Sequence, residues 1–222
     1  MIAAGAHAQA PSPLFELPAP TRTLPVGTTQ WIVTDPSREE TFAAGRRRDV
    51  QVIAWYPASP ASPASPAPYL RNGMEEVLSF ARVAKLGDAY NALANVKSHA
   101  VLNAPPAKSP ARLPVIAFSH GYTGLPSSHT ALFEDLASHG WAVLHVVHPY
   151  EATAAKLADG AIVTYTDETN AFRPGIAAVF DEWGPEGSTV EKVTASTDDA
   201  EKETLLRDYL GTMKKTNDVV KP

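Results

Sequence analysis

Residues Pro114 to Gly124 read PVIAFSHGYTG, a short apolar run that ends in a His-Gly pair. The run has the look of a buried strand closing into a glycine turn. A His-Gly pair at the mouth of such a strand often helps build an oxyanion hole. Gly121 lets the backbone turn sharply and approach a ligand closely. The N–H of Tyr122 would then point into a pocket, where a fixed donor stabilises the oxyanion of acyl transfer. An ordinary strand-to-loop turn fits the same residues, so the local pattern leaves both readings open.

Acyl transfer needs a nucleophile. A G-x-S-x-G elbow lifts a serine on a strained strand-to-helix turn, and the sequence contains none. Ser127 and Ser128 follow the glycine turn but read as helix caps. Ser188, in GPEGSTV, sits in a polar loop with no strand before it. His120 is a poor base for Ser119, because neighbours on a strand face opposite ways. No nucleophile, acid or base of a Ser-His-acid set is therefore expected in this chain. The seven histidines raise a metal site as the alternative chemistry. His145 and His148 are three apart on a strand and should point to opposite faces. His129 and His139 do not align, and no H-E-x-x-H occurs, so no metal is expected.

The elements that must position these residues alternate between strand and helix. TQWIVTD (Thr29 to Asp35) and DVQVIAWYP (Asp49 to Pro57) read as strands, the second with Val50, Val52, Ala54 and Tyr56 alternating against Gln51, Ile53 and Trp55. Met74 to Val96 reads as helix broken around Gly87. Leu113 to Gly121 and Trp141 to Pro149 are nearly continuous apolar runs, which fit parallel strands buried on both faces. Between them, Ser127 or Ser128 would cap a helix with Leu132, Phe133, Leu136 and Ala137 on its buried face, and Gly140 would stop it. Strand, helix, strand in that order predicts a right-handed βαβ unit and a parallel sheet. Asp159-Gly160 signals a hairpin, and Glu168 to Val193 is too mixed to assign. Ser196 to Asp218 reads as a helix with a Ser196–Asp199 capping box, acidic residues at its start, and Lys214 and Lys215 at its end. Its buried stripe would be Leu205, Leu206, Tyr209, Leu210 and Met213.

Composition bounds the rest. The 222 residues suit one domain or a little more. Hydrophobic residues make up 44% and charged residues 19%, enough for an ordinary core. A net charge of −5 without a basic face excludes nucleic acid as a partner, and Arg46-Arg47-Arg48 reads as a solvated loop before a strand. The chain has no cysteine, which removes disulfides, thiolate nucleophiles and thiolate metal sites. No run reaches the ~18 apolar residues of a transmembrane segment. Residues 1–28 form a Pro-rich tail, and residues 29–222 the globular part. ASPASPASPAP (Ala58 to Pro68) reads as a polyproline-like surface loop. Ala6-His7-Ala8 has the A-x-A form that signal peptidases read, but the basic and apolar parts of an export signal are missing. Two readings follow: a late start codon on a secreted or periplasmic protein, or a plain tail on a cytoplasmic one. Nothing in the sequence fixes an oligomeric state.

Taken together, VQVIAWYPA, SHAVLNAPPA, the long stretch from Leu113 to Ala154 and the hairpin LADGAIVTY resemble the platelet-activating-factor acetylhydrolase-like branch of the α/β-hydrolases, especially its bacterial esterase members. The resemblance runs from about Thr29 to the end and is most specific from Pro114 to Ala154. It implies an incomplete α/β-hydrolase fold, the N-terminal half of a mostly parallel sheet with flanking helices. By position, Tyr122 supplies the backbone N–H of half the oxyanion hole, and His120, Gly121 and Thr123 line the substrate site. The nucleophilic serine, the acid and the catalytic histidine of that family fall beyond Pro222. The resemblance further implies a carboxylic-ester hydrolase with no cofactor, acting on short acyl esters or acetylated phospholipids, with Met74 to Val96 over the acyl pocket. The chain alone is then expected to be an inactive, poorly soluble piece. The alternatives are a non-catalytic acyl- or lipid-binding homologue, and a dienelactone- or polyester-type hydrolase.

Overall fold

The computed structural model describes residues 15–60, 65–83, 88–108, 112–165 and 189–220. Ala6-His7-Ala8, Gly87, Ser188 and most of the unassigned stretch Glu168 to Val193 lie outside them, as do the side chains of Tyr209, Met213, Lys214 and Lys215.

A six-stranded mixed sheet, ordered β3-β4-β1-β2-β6-β5, carries the fold. β1 (Val26–Glu39) and β2 (Arg47–Pro57) form a long antiparallel ribbon in which Thr29 faces Ala54 and Trp31 faces Val52. Both strands start earlier than expected, and β1 also runs on past Asp35. β2 is the strand buried on both faces: Gln51, Ile53 and Trp55 are enclosed on one side, Val52 and Ala54 on the other. It pairs antiparallel with β6 (Ala142–Val147), which in turn pairs in parallel with β5 (Val115–Ser119).

Double-sided burial was expected of β5 and β6, and there the structure differs. Only alternate residues of β6 are buried, and Val115 on β5 is 59% exposed. β5 is the outermost strand of the described sheet and has β6 as its one ladder partner. Apolar side chains on one of its faces, Ile116 and Phe118, pack against the main core. The expected βαβ unit is present: β5, α2 (Thr130–Ser138) and β6 follow in order.

Phe133 on α2 sets the core. Its ring lies 5.0 Å from Trp55 and 5.1 Å from Phe118, joining the helix to two strands. Thr130, Phe133, Glu134, Ala137 and Ser138 are the buried positions, at offsets of three, four, seven and eight from Thr130 as one helix face requires. Leu132 does not fall on that face and is 53% exposed, against expectation. The expected serine cap is also absent: His129 occupies the cap position with no side-chain cap bond, and the Ser128 hydroxyl pairs with His129 Nδ1 instead. Gly140, at φ 95°, ends the helix as expected.

The Ala-Ser-Pro stretch is more than a surface loop. Pro66–Pro68 forms the edge strand β3, with Ala67 buried, paired antiparallel to β4 (Lys97–Leu102). Proline is tolerated there because an edge strand can leave one N–H row unused. β4, which the periodicity did not reveal, runs parallel to β1 through Gly27 and Thr28. The helical stretch expected from Met74 to Val96, which precedes β4, divides into α1 (Glu75–Val83) and a 3-10 helix (Asp88–Asn95). Tyr69, Leu70, Val77, Leu93 and Val96 form a second core here, with Leu17 packed against it. Residues of the Pro-rich tail are pinned as well. The Thr21 N–H donates to Asp135 Oδ1 at 2.7 Å, and His99 Nε2 meets the Leu17 carbonyl at 2.9 Å.

The hairpin forms where Asp159-Gly160 placed it, between β7 (Ala155–Lys156) and β8 (Ile162–Val163), with Gly160 at φ 88°. α3 (Thr189–Ala195) and α4 (Asp199–Val220) close the described chain. The cap of α4 is shifted from the expected box. Asp198 Oδ1 accepts the Ala200 N–H at 2.9 Å, while the Ser196 hydroxyl donates to Glu201 at 2.6 Å. Leu206 and Leu210, expected in a buried stripe, are 46% and 63% exposed. α4 packs chiefly on α3, and neither leucine is enclosed by it.

Candidate functional site

The C-terminal ends of β5 and β6 lie side by side because the two strands run in parallel register, Ser119 opposite Val146. The turn leaving β5 (residues 120–124) and the turn leaving β6 (residues 148–153) therefore meet, and backbone hydrogen bonds lock them together. The Thr123 N–H donates to the Glu151 carbonyl at 2.8 Å, the Thr153 N–H to the Gly124 carbonyl at 3.0 Å, and the Gly124 N–H to the Gly121 carbonyl at 2.9 Å. Each turn holds a non-glycine residue in the left-handed region, Thr123 at φ 61° and Tyr150 at φ 65°. A β-branched residue such as Thr123 adopts that conformation only when its surroundings impose it.

The glycine that this turn demands is Gly124. A Cβ there would sit 2.8 Å from the Gly121 carbonyl oxygen and from His120 Cβ and Nδ1. Gly121, expected to carry the sharp bend, has no positive φ, and a Cβ on it would meet nothing within 4 Å. The Cβ direction of Gly121 therefore faces open space, while its carbonyl is held within the turn. Tyr122, next in line, has an exposed ring edge, and burial followed by the Glu151 charge pushes its phenol well above the usual range.

His120 is tied down at both ring nitrogens. The His148 N–H donates to His120 Nε2 at 3.0 Å, so Nε2 must carry a lone pair, and the proton sits on Nδ1, which donates to the Gly121 carbonyl at 2.7 Å. Burial lowers its pKa, with Glu151 opposing. His145 is wholly enclosed, its ring 5.1 Å from Phe118, 5.5 Å from Phe133 and 5.8 Å from His120. Burial, then the rings of His120 and His129, push it down to about 3. His148 is also lowered, by burial first, while Glu151 pulls the other way. The cluster is therefore neutral at pH 7.

One pairing escaped the sequence reading. Ser119 was weighed against His120, but it is His148 whose Nε2 lies 2.9 Å from the Ser119 hydroxyl. The parallel register was the signal: Ser119 stands level with Val146, so its reach is to the residue that follows β6. His148 Nδ1 is buried without a hydrogen-bond partner among the described residues. Among the described residues, no carboxylate orients His148 as one orients the base of a serine-hydrolase triad. Arg48, read as part of a solvated basic loop, is largely buried here, 3.6 Å from both Glu40 and Glu151. It ties the β1–β2 ribbon to the turn that receives Thr123. Among the described residues no cluster of three or more His, Asp or Glu side chains is placed to hold a metal. No described helix is long and apolar enough to cross a membrane.

The chain is similar to a ferulic acid esterase from Streptomyces cinnamoneus, at 35% identity and a TM-score of 0.55, over 75% of this chain and 46% of that one. It thus spans less than half the length of the esterase. No curated protein matches the chain significantly. The family model for platelet-activating factor acetylhydrolase, isoform II, matches residues 21–207. The match covers most of the chain and both turns of the site, so the chain belongs to the platelet-activating factor acetylhydrolase isoform II family, and its described sheet is part of an α/β-hydrolase fold.

Proposed function

We propose that the intact protein is a serine carboxylic-ester hydrolase and that this chain supplies half of its oxyanion hole. The observation that carries the reading is the interlocked turn at the end of β5, where Thr123 is held left-handed by Glu151 and Thr153 grips Gly124. A backbone fixed this way presents the Tyr122 N–H in a set direction, as stabilisation of a tetrahedral oxyanion requires. Gly121 and Thr123 flank the donor and face the substrate. The nucleophile, its base and its acid come from residues beyond those described, and the free edge of β5 is where the strand bearing the nucleophile would pair.

Short acyl esters, acetylated phospholipids among them, are the substrate class the family suggests. The 35% identical ferulic acid esterase favours a second reading, an ester with an aromatic acyl group, for which the exposed Tyr122 ring is a suitable face. A fluorophosphonate probe applied to the protein expressed with all of its flanking sequence tests the proposal. One serine should be labelled, and peptide mapping should place it outside residues 1–222. Labelling of Ser119, or no labelling with no turnover of 4-nitrophenyl acetate, would contradict it. Comparing 4-nitrophenyl acetate with methyl ferulate then separates the two substrate readings.

A further inference from the structure

We propose that His120 is not a substrate ligand but the positioning residue of the oxyanion turn, working only as the neutral Nδ1–H tautomer, so that its protonation unlocks the turn. The geometry allows no other state. Nε2 accepts the peptide N–H of His148, and Nδ1–H reaches back to the Gly121 carbonyl, one residue before the Tyr122 N–H. The Gly121 carbonyl also accepts from Gly124, so the imidazole and Gly124 hold one peptide plane from two sides. That plane, Gly121–Tyr122, is the one whose N–H would serve as donor. The other tautomer, or the imidazolium, would put a second N–H against the His148 N–H and break the link between the two turns.

The surroundings oppose that protonation. His148 and His145 face the ring from the exit of β6 and from β6 itself, with centroids at 5.3 and 5.8 Å. The Glu151 carboxylate, from the turn after β6, is the one described charge that favours the cation, and it is engaged by Arg48 at 3.6 Å. Burial outweighs it and holds His120 below the ordinary value. The relevance to catalysis rests on the esterase reading; the tautomer lock does not.

Long-range proton–nitrogen NMR on histidine-labelled protein tests the lock directly. At neutral pH His120 should show a protonated Nδ1 and a bare Nε2, and should titrate below an ordinary histidine. The amide signals of Tyr122 and Thr123 should shift with the same midpoint and lose that response in His120→Gln. An Nε2–H tautomer, an ordinary midpoint, or a Tyr122 amide that ignores His120 would overturn the proposal. In the intact enzyme, His120→Gln should lower kcat about 10- to 100-fold, as slight misplacement of a catalytic group does, with KM nearly unchanged. A raised KM with kcat unchanged would return His120 to substrate binding. If the wild-type enzyme hydrolyses no ester, the esterase reading fails, while the NMR result still decides the tautomer.

Discussion

The peptide N–H of His148 meets the Nε2 of His120 at 3.0 Å, joining the exit of β6 to the turn that leaves β5. A side chain thus does what a loop backbone cannot do alone, fixing the rotation of the peptide plane that carries the expected oxyanion donor. The contact also sorts the residues around it. Those that hold the turn, His120, Gly124 and Thr153, are separable from those that face outward, Gly121 and Tyr122.

Gly124→Ala and Gly121→Ala should therefore behave differently. The added methyl at Gly124 meets His120 and the Gly121 carbonyl at 2.8 Å, so the turn must shift and ester turnover in the intact protein should drop by roughly 100-fold. At Gly121 the methyl meets nothing within 4 Å. Its melting temperature should stay at the wild-type value, so that any lost turnover reports a clash with substrate. Equal loss of thermal stability in both variants would contradict the assignment.

The buried histidines predict acid sensitivity. His145 titrates at about 3 in the folded protein against 6.5 for an ordinary histidine, so the unfolded chain takes up its proton first. Its contribution to stability is complete above pH 6.5 and is lost progressively as the pH falls toward 3. His145→Phe removes this loss while keeping a ring among Phe118 and Phe133. Between pH 7.5 and pH 5 the wild type should lose about 1–2 kcal/mol more unfolding free energy than the variant, measured by urea denaturation. Parallel losses would show that His145 is not buried neutral.

Glu76 works in the opposite direction. Burial pushes its carboxyl up to about 7, against the Asn72 N–H, the Ser127 hydroxyl and the Arg71 cation that lower it. The folded protein holds that proton longer than the unfolded chain, so the contribution is full below pH 4.5 and lost as the pH rises through 7. Glu76→Gln should gain on the wild type between pH 5 and pH 8, by something on the order of 1–3 kcal/mol in urea unfolding. A gap that stays constant with pH would rule this out.

The legibility of the fold in the sequence followed local periodicity. Strong alternation in β2, the apolar runs of β5 and β6, and the Asp159-Gly160 turn were all readable, because each is decided within a few residues. β3 and β4 were not, since Pro66–Pro68 and Lys97–Leu102 become strands only by pairing with each other and with β1. The face of α2 was misread because Leu132 is as apolar as Phe133, and only the tertiary position of Trp55 decides which of them is buried. At the site, the turn that closes β5 was legible from the apolar run and the glycines after it. The Ser119–His148 contact, the role of Arg48 and the double tether on His120 depend on the register of β5 against β6, which no single stretch encodes.

The α2 correction is itself testable. Phe133 touches Trp55 and Phe118 in the centre of the core, and Phe133→Ala should cost about 3–5 kcal/mol. Leu132→Ala, at a position 53% exposed, should stay within about 0.5 kcal/mol of the wild type. Comparable losses in the two variants would mean that the helix presents a different face.

The central claim concerns one hydrogen atom. Replacing Tyr122 by its α-hydroxy acid exchanges the backbone N–H for an ester oxygen and keeps the side chain. In the intact enzyme this substitution should lower kcat for 4-nitrophenyl acetate by roughly 100- to 1,000-fold, with little change in KM. Undiminished kcat in a correctly folded protein would contradict the account, because the oxyanion would then be stabilised elsewhere.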